Sequence, residues 1–136
     1  MKITSTFTPL NGGTAEVLKR IDTGARWGLE AQGRVVWRAW KRELQLRKGG
    51  FKTGAFATGV AQNKITLGPV QTLGRIGDYS VQVGTSVLYH LFWELGHMNL
   101  FTGKYERVET LRPALEDTRD EQRAAFVRQF RRAVGA

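Results

Sequence analysis

Three stretches of this chain have residue types and spacings that suit chemistry. His90 and His97 are its two histidines, and Glu94 stands between them. On one continuous helix, His-x3-Glu-x2-His would put all three on one side, a geometry that can hold a metal ion. Gly96 is placed to end such a helix before His97, and Phe92, Trp93 and Leu95 are core types, so a buried or hydrogen-bonded His90 is the simpler expectation. The stretch Gly49-Gly50-Phe51-Lys52-Thr53-Gly54 resembles a phosphate loop. In a true one, Lys and Ser/Thr follow the last glycine, behind a strand and at the head of a helix. Here they precede it, and the stretch follows a helical pattern. No Gly-x-Ser-x-Gly elbow is present, Ser5, Ser80 and Ser86 have no evident base, and Glu43 and Glu94 are single acids. The expectation is a protein without catalytic residues, cofactor or metal.

Arg34–Arg42 (RVVWRAWKR) is the third stretch, and its chemistry is binding. Arg34, Arg38 and Arg42 recur every fourth residue, with Lys41 adjacent, so a helix would gather them into one basic stripe. Such a stripe suits phosphates of duplex DNA without reading sequence. Trp37 and Trp40 interleave on other faces, where they would stack single-stranded bases or join the core. Under the plainer alternative Val36 and Trp40 are core, and the arginines are solvated or paired with acids of a neighbouring chain. A helix lying on a membrane surface is a further option.

The charge balance points the same way. The formal net charge is +9 and the sequence pI near 10.5. Residues 1–64 hold 12 basic and 4 acidic side chains, while residues 65–136 hold 9 and 8. A basic field of this kind favours a polyanion or an acidic protein surface. With no cysteine in 136 residues, disulfide frameworks and thiolate zinc sites are excluded. No apolar run approaches the roughly 20 residues of a membrane span, and the opening MKITSTFTPLNGG lacks the pattern of a secretory signal.

The elements needed to position these groups can be read in turn. Residues 1–13, with Pro9 and Gly12-Gly13, read as a docking or loose arm of a single domain spanning 1–136. Leu18, Ile21, Ala25, Leu29, Val36, Trp40 and Leu44 recur at helical steps, with a gap at Gln32-Gly33. Asp22-Thr23-Gly24 is a plausible stop, so a short helix followed by a long one over 23–47 is expected. Gly24 and Gly28 sit one turn apart and admit the close approach of another backbone, such as a neighbouring subunit. Short β-prone runs at 65–67, 70–73 and 79–83, with a turn at 74–78 and a further start near 56–60, suggest an antiparallel meander. Ser86–Leu95 reads as a short helix, 97–104 as a loop and 105–111 as one more strand. Pro113 opens a C-terminal helix with acids early and arginines late, burying Leu115, Ala125, Phe126, Phe130 and Ala133. The expected class is α+β: a long N-terminal helix and a C-terminal helix on a small antiparallel sheet of about four strands, with a short extra helix.

Taken in order, several of these segments resemble one known family. They are the basic helix, Lys52-Thr53-Gly54-Ala55-Phe56, Val83-Gly84-Thr85, the run Tyr89 to Gly96 (YHLFWELG) and Leu111-Arg112-Pro113-Ala114-Leu115-Glu116. Over roughly residues 25–136 the chain is similar to the tail-component or neck family of long-tailed bacteriophages, prophages and gene transfer agents. In that family the Thr-Gly turn follows a proline and precedes a leucine, where Gly50 and Phe56 stand here. A threonine often follows Glu-x-Gly, where His97 stands here. The signature residues are Tyr89, Glu94, Gly96, Arg112 and Pro113.

The resemblance implies a structural virion protein, assembled in the host cytoplasm and resident at the head–tail junction. It implies a closed ring of six or twelve copies around the DNA exit channel, of stopper or tail-completion type. The partners would be further copies, the adjacent portal or adaptor and tail-terminator or tail-tube rings, and duplex DNA passing through without being read; no membrane is involved. Arg34, Arg38, Lys41 and Arg42 are the candidates for contact with DNA or an acidic partner. Gly24, Gly28, Lys52, Thr53 and Gly54 are the candidates for subunit or ring contacts, and loop 97–104 for rings above and below. The alternative function is a small basic nucleic-acid-binding regulator.

Overall fold

The computed structural model describes residues 13–47, 60–72, 78–86 and 93–135. The N-terminal arm, the Thr53 turn, the β-prone residues 56–59, the centre of the 74–78 turn and residues 87–92 of the expected short helix lie outside them.

Helix α1 runs unbroken from Thr14 to Arg47, 34 residues, or about 50 Å at 1.5 Å per residue. The expected stop at Asp22-Thr23-Gly24 does not occur. Asp22 spends its carboxylate one turn further on, accepting from Arg26 Nε at 3.1 Å. Glu16–Arg20 and Glu30–Arg34 repeat that spacing, each pair contributing about 0.3–0.5 kcal/mol of helix stability.

A second reason the helix continues is tertiary. Helix α4 (Arg119–Val134) lies antiparallel along α1, with Phe130 and Ala133 against Gly24, Phe126 against Gly28 and Gln122 bonded to Gln32. A Cβ on Gly28 would stand 2.6 Å from the Phe126 ring, and one on Gly24 2.9 Å from that of Phe130. The two rings stack on each other at 6.0 Å. Each interior glycine costs about 1 kcal/mol of helix propensity, and here that cost is offset by seating an aromatic ring directly on backbone. The close approach expected at Gly24 and Gly28 is therefore made by this chain's own α4, which corrects their assignment to a neighbouring subunit. The same seam explains why Leu18 and Ile21 are exposed: the buried stripe follows the glycines.

Two short antiparallel pairs follow the one-turn helix α2 (Val60–Asn63). Strand β1 (Ile65–Leu67) pairs with β4 (Val83–Thr85), and β2 (Gln71–Thr72) with β3 (Tyr79–Ser80). The registers, Leu67↔Val83 and Gln71↔Ser80, leave three residues facing two. This is one hairpin with a bulge at Gly68-Pro69-Val70, and Gly68 N–H closes it on Gln82 O at 2.8 Å. The expected continuous strand 79–83 is interrupted there. The bulge carries Val81 against α1, where Gly33 leaves room for it and for Leu67.

The remaining pair, β5 (His97–Met98) with β6 (Tyr105–Glu106), forms from the expected loop and from the first two residues of the expected strand. Thr110 is not in a strand; it precedes α3 (Leu111–Glu116), and Asp117-Thr118 divides α3 from α4. Gln122, buried beneath that elbow, donates to Leu115 O and to Thr118 Oγ1 at 2.9 and 3.0 Å. Among the described residues the strands form three separate two-stranded sheets, so the class is α+β. The core lies where Ala39, Trp40 and Leu44 of α1 meet Ile65 and Ala114, with Trp37, Val83, Trp93 and Leu111 around them.

Candidate functional site

The basic stripe is present as a ridge along α1. Arg34, Arg38 and Arg42 are exposed on it. Their charges differ in what they face. Glu30 holds the Arg34 guanidinium at 2.5 Å. Lys41 turns across the Trp37 ring, its Nζ 4.5 Å from the centroid. Among the described residues, no acid lies within ion-pair distance of Arg38 or Arg42. These two carry the ridge's uncompensated charge.

The tryptophans do not serve as a stacking platform. Trp40 is buried and donates its indole N–H to Thr110 Oγ1 at 2.8 Å. Trp37 donates to Ile65 O at 3.0 Å, and Lys41 covers its face. Trp27, not singled out by the sequence, is 45% exposed. It lines a shallow cleft of about 390 Å³ with Glu30, Ala31, Arg34, Gln129 and Arg132. Arg34 and Arg38 border a second cleft against strand β1, also about 390 Å³. The ridge is thus a cationic surface with clefts on its flank, suited to phosphates or carboxylates.

Glu94 has a different role from any read in the sequence. Its Oε1 accepts from Thr110 N–H at 2.6 Å, from Leu111 N–H at 2.8 Å and from the Thr110 hydroxyl. The carboxylate therefore caps α3 from 16 residues upstream, while Thr110 makes no side-chain cap of its own. Bonds to two backbone carbonyls tie the same segment down: the Arg107 side chain donates from Nε to Glu94 O at 3.0 Å, and Val108 N–H donates to Trp93 O at 2.9 Å. Gly96 has φ +87°, open to glycine and strained for other residues, and the Tyr105 hydroxyl lies over it, donating to Leu95 O at 2.8 Å. Arg112 pairs with Glu109, which also holds Arg107, each at 2.5 Å. Pro113 sits in the first turn of α3. Glu94, Gly96, Arg112 and Pro113 thus have structural work around the 93–96 turn and the start of α3. Tyr89 lies outside the described residues, as do His90, Lys52, Thr53 and Gly54.

Glu94 and His97 do not converge on a common point. His97 has turned onto β5, edge-on to Trp93 at 4.6 Å, with Nε2 3.7 Å from Glu106. Among the described residues, no group of three His, Asp or Glu side chains is placed to hold a metal ion, and no helix is long and apolar enough to cross a membrane.

Loop 97–104, offered by the sequence for ring contacts, is the β5–β6 hairpin, and what sequence reading missed is the apolar pair at its tip. Leu100 and Phe101 are 91% and 101% exposed there. Asn99 fixes the tip: its Oδ1 accepts from Phe101 and Thr102 N–H at 3.0 and 3.3 Å, and its Nδ2 reaches Glu106 at 3.2 Å. The available signal was Asn-Leu-Phe-Thr-Gly, a turn formed around two large apolar residues.

No family model, curated protein or solved structure matches the chain.

Proposed function

We propose that this chain is a structural subunit of a bacteriophage neck, forming a homo-oligomeric ring at the head–tail interface around the DNA exit channel. The observation that carries the reading is the α1 ridge: Arg38 and Arg42, one turn apart on a 34-residue helix, with no acid facing them among the described residues. A polyanion sliding past needs such a surface, with screened attraction and no base reading. The order of sequence segments, which resembles that of neck proteins, supports the virion assignment, and the structural duties of Glu94, Gly96, Arg112 and Pro113 suit a role without catalysis. Ring neighbours on either side, and further copies within the ring, are the partners of this reading.

Electron microscopy of the purified protein and of particles from the producing cell is the test. Rings, or this chain in the collar of particles, are expected. A monomer absent from particles that binds free DNA or RNA tightly, with affinity falling steeply as salt rises, would replace this reading with the nucleic-acid-binding regulator.

A further inference from the structure

We infer that Leu100 and Phe101 of one copy dock into the apolar cleft between the N-terminal end of α1 and the C-terminal end of α4 of a second copy. The inference rests on the reading of the chain as a self-assembling subunit and names the surfaces that meet.

The hairpin tip is an apolar knob. Phe101 is fully exposed at 101%, and Leu100 is close to that limit. Two large apolar side chains at a tip held by Asn99, whose backbone also closes on Lys104 and Gly103 at 2.8 Å each, are displayed and not merely left over. A fixed tip loses little freedom on docking. Exposed apolar groups grouped on a rigid projection mark an interaction surface.

The cleft has the complementary character. Val17, Ile21, Phe130, Val134 and the stem of Arg20 enclose about 250 Å³ with almost no polar lining. A cavity of roughly 150 Å³ lined by aliphatic and aromatic groups takes up a benzene ring, so this one has room for a phenyl group and part of a leucine. Arg20's guanidinium is held by Glu16 at 3.3 Å, so no bare charge faces the incoming ring. Half-exposed Ile21 and exposed Leu18 extend the patch beyond the rim.

Position settles that the partner is another molecule. The knob springs from the segment that Glu94 and Thr110 anchor beside Trp40, whereas the cleft surrounds residues 17–21 of the same helix. Twenty residues of α1, about 30 Å, separate the Trp40 anchor of the hairpin from the cleft, and the tip is fully exposed in its own chain. A knob at one end and its socket at the other make a heterologous contact, which repeats from copy to copy and closes into a ring where the rotation allows.

The test uses the absence of cysteine. Thr102→Cys places a thiol beside the knob, and Leu18→Cys places one beside the socket, leaving Phe101 and Ile21 intact. A mixture of the two single variants, treated with a short bismaleimide, should give a covalent heterodimer, and the double variant a ladder of multimers. Phe101→Ser in the double variant should reduce the ladder at least tenfold with the far-ultraviolet circular dichroism unchanged. The docking is overturned if no heterodimer forms, if Thr102→Cys alone cross-links as readily (a tip-to-tip contact), or if Phe101→Ser changes nothing. The two readings fail separately. Rings built by the Phe101→Ser variant would refute the docking and keep the ring; a Phe101-dependent heterodimer in a protein that forms no rings and never joins particles would do the reverse.

Discussion

Trp40 on α1 donates its indole N–H to the hydroxyl of Thr110 at 2.8 Å, although 70 positions separate them in the chain. Thr110 passes the contact on by donating to Glu94, and it is wholly buried. One hydroxyl therefore joins the long helix, the cap of α3 and the turn that leads into the β5–β6 hairpin. Thr110→Val keeps the shape but removes the acceptor of the Trp40 indole N–H and one of the three donors to Glu94 Oε1, and a buried donor that loses its acceptor costs about 1–3 kcal/mol. Thr110→Ser keeps the hydroxyl and loses one methyl, about 1 kcal/mol. Urea denaturation of the two variants should rank Ser above Val. Equal midpoints would show that the hydroxyl relay carries no net stability.

The seam between α1 and α4 makes a prediction against helix propensity. Gly28→Ala should gain about 1 kcal/mol from propensity alone. Its Cβ would stand 2.6 Å from the Phe126 ring, and overpacking of this kind costs about 1–3 kcal/mol. Net destabilisation is expected, with partial recovery in Gly28→Ala combined with Phe126→Leu. A double-mutant cycle measured by denaturation checks the pair. Additive effects would mean that ring and glycine do not meet.

How far the sequence discloses this structure depends on the range over which each contact acts. Val36, Trp40 and Leu44 recur at helical spacing and are buried, because a local period reports one face of a helix. Arg38 and Arg42 form a stripe for the same reason. Gly24 and Gly28 announce that something comes close, but spacing within one helix cannot say whether that is α4 or another molecule. Thr110 beside Val108 carries the alternation of a strand, yet it stands at the head of a helix whose cap is Glu94, reaching it from 16 residues away. The bulge at 68–70 is equally silent, since its purpose is to fit Val81 against Gly33 on a distant helix. Loop 97–104 is legible as a candidate contact, but that Leu100 and Phe101 are what it displays is seen only in their exposure.

Gly96 links a backbone constraint to an aromatic one. Its φ of +87° is disfavoured for residues with a side chain, and a Cβ there would overlap the Tyr105 hydroxyl. Gly96→Ala should cost about 1–3 kcal/mol of backbone strain, and Tyr105 must also move away from Leu95 O. Combining it with Tyr105→Ala removes the overlap but not the strain, so only part of the loss should return. Thermal unfolding of the single and double variants separates the two contributions. Full recovery in the double variant would assign the whole effect to Tyr105.

The ridge predicts a charge effect without a stability effect. Arg38 and Arg42 are exposed and face no acid among the described residues, so replacing both by Gln should shift unfolding by no more than about 0.5 kcal/mol. Against a fluorescent duplex, the same change should lower affinity alike for unrelated sequences. If each arginine meets one phosphate, the slope of log affinity on log salt falls by about 0.9 per arginine, close to two for the pair. Arg34→Gln should lower it less, because Glu30 at 2.5 Å already offsets that guanidinium. Removing Glu30 with Gln should then raise affinity by freeing Arg34. Equal losses at Arg34 and Arg38, or a dependence on duplex sequence, would show that the ridge does more than present uncompensated charge.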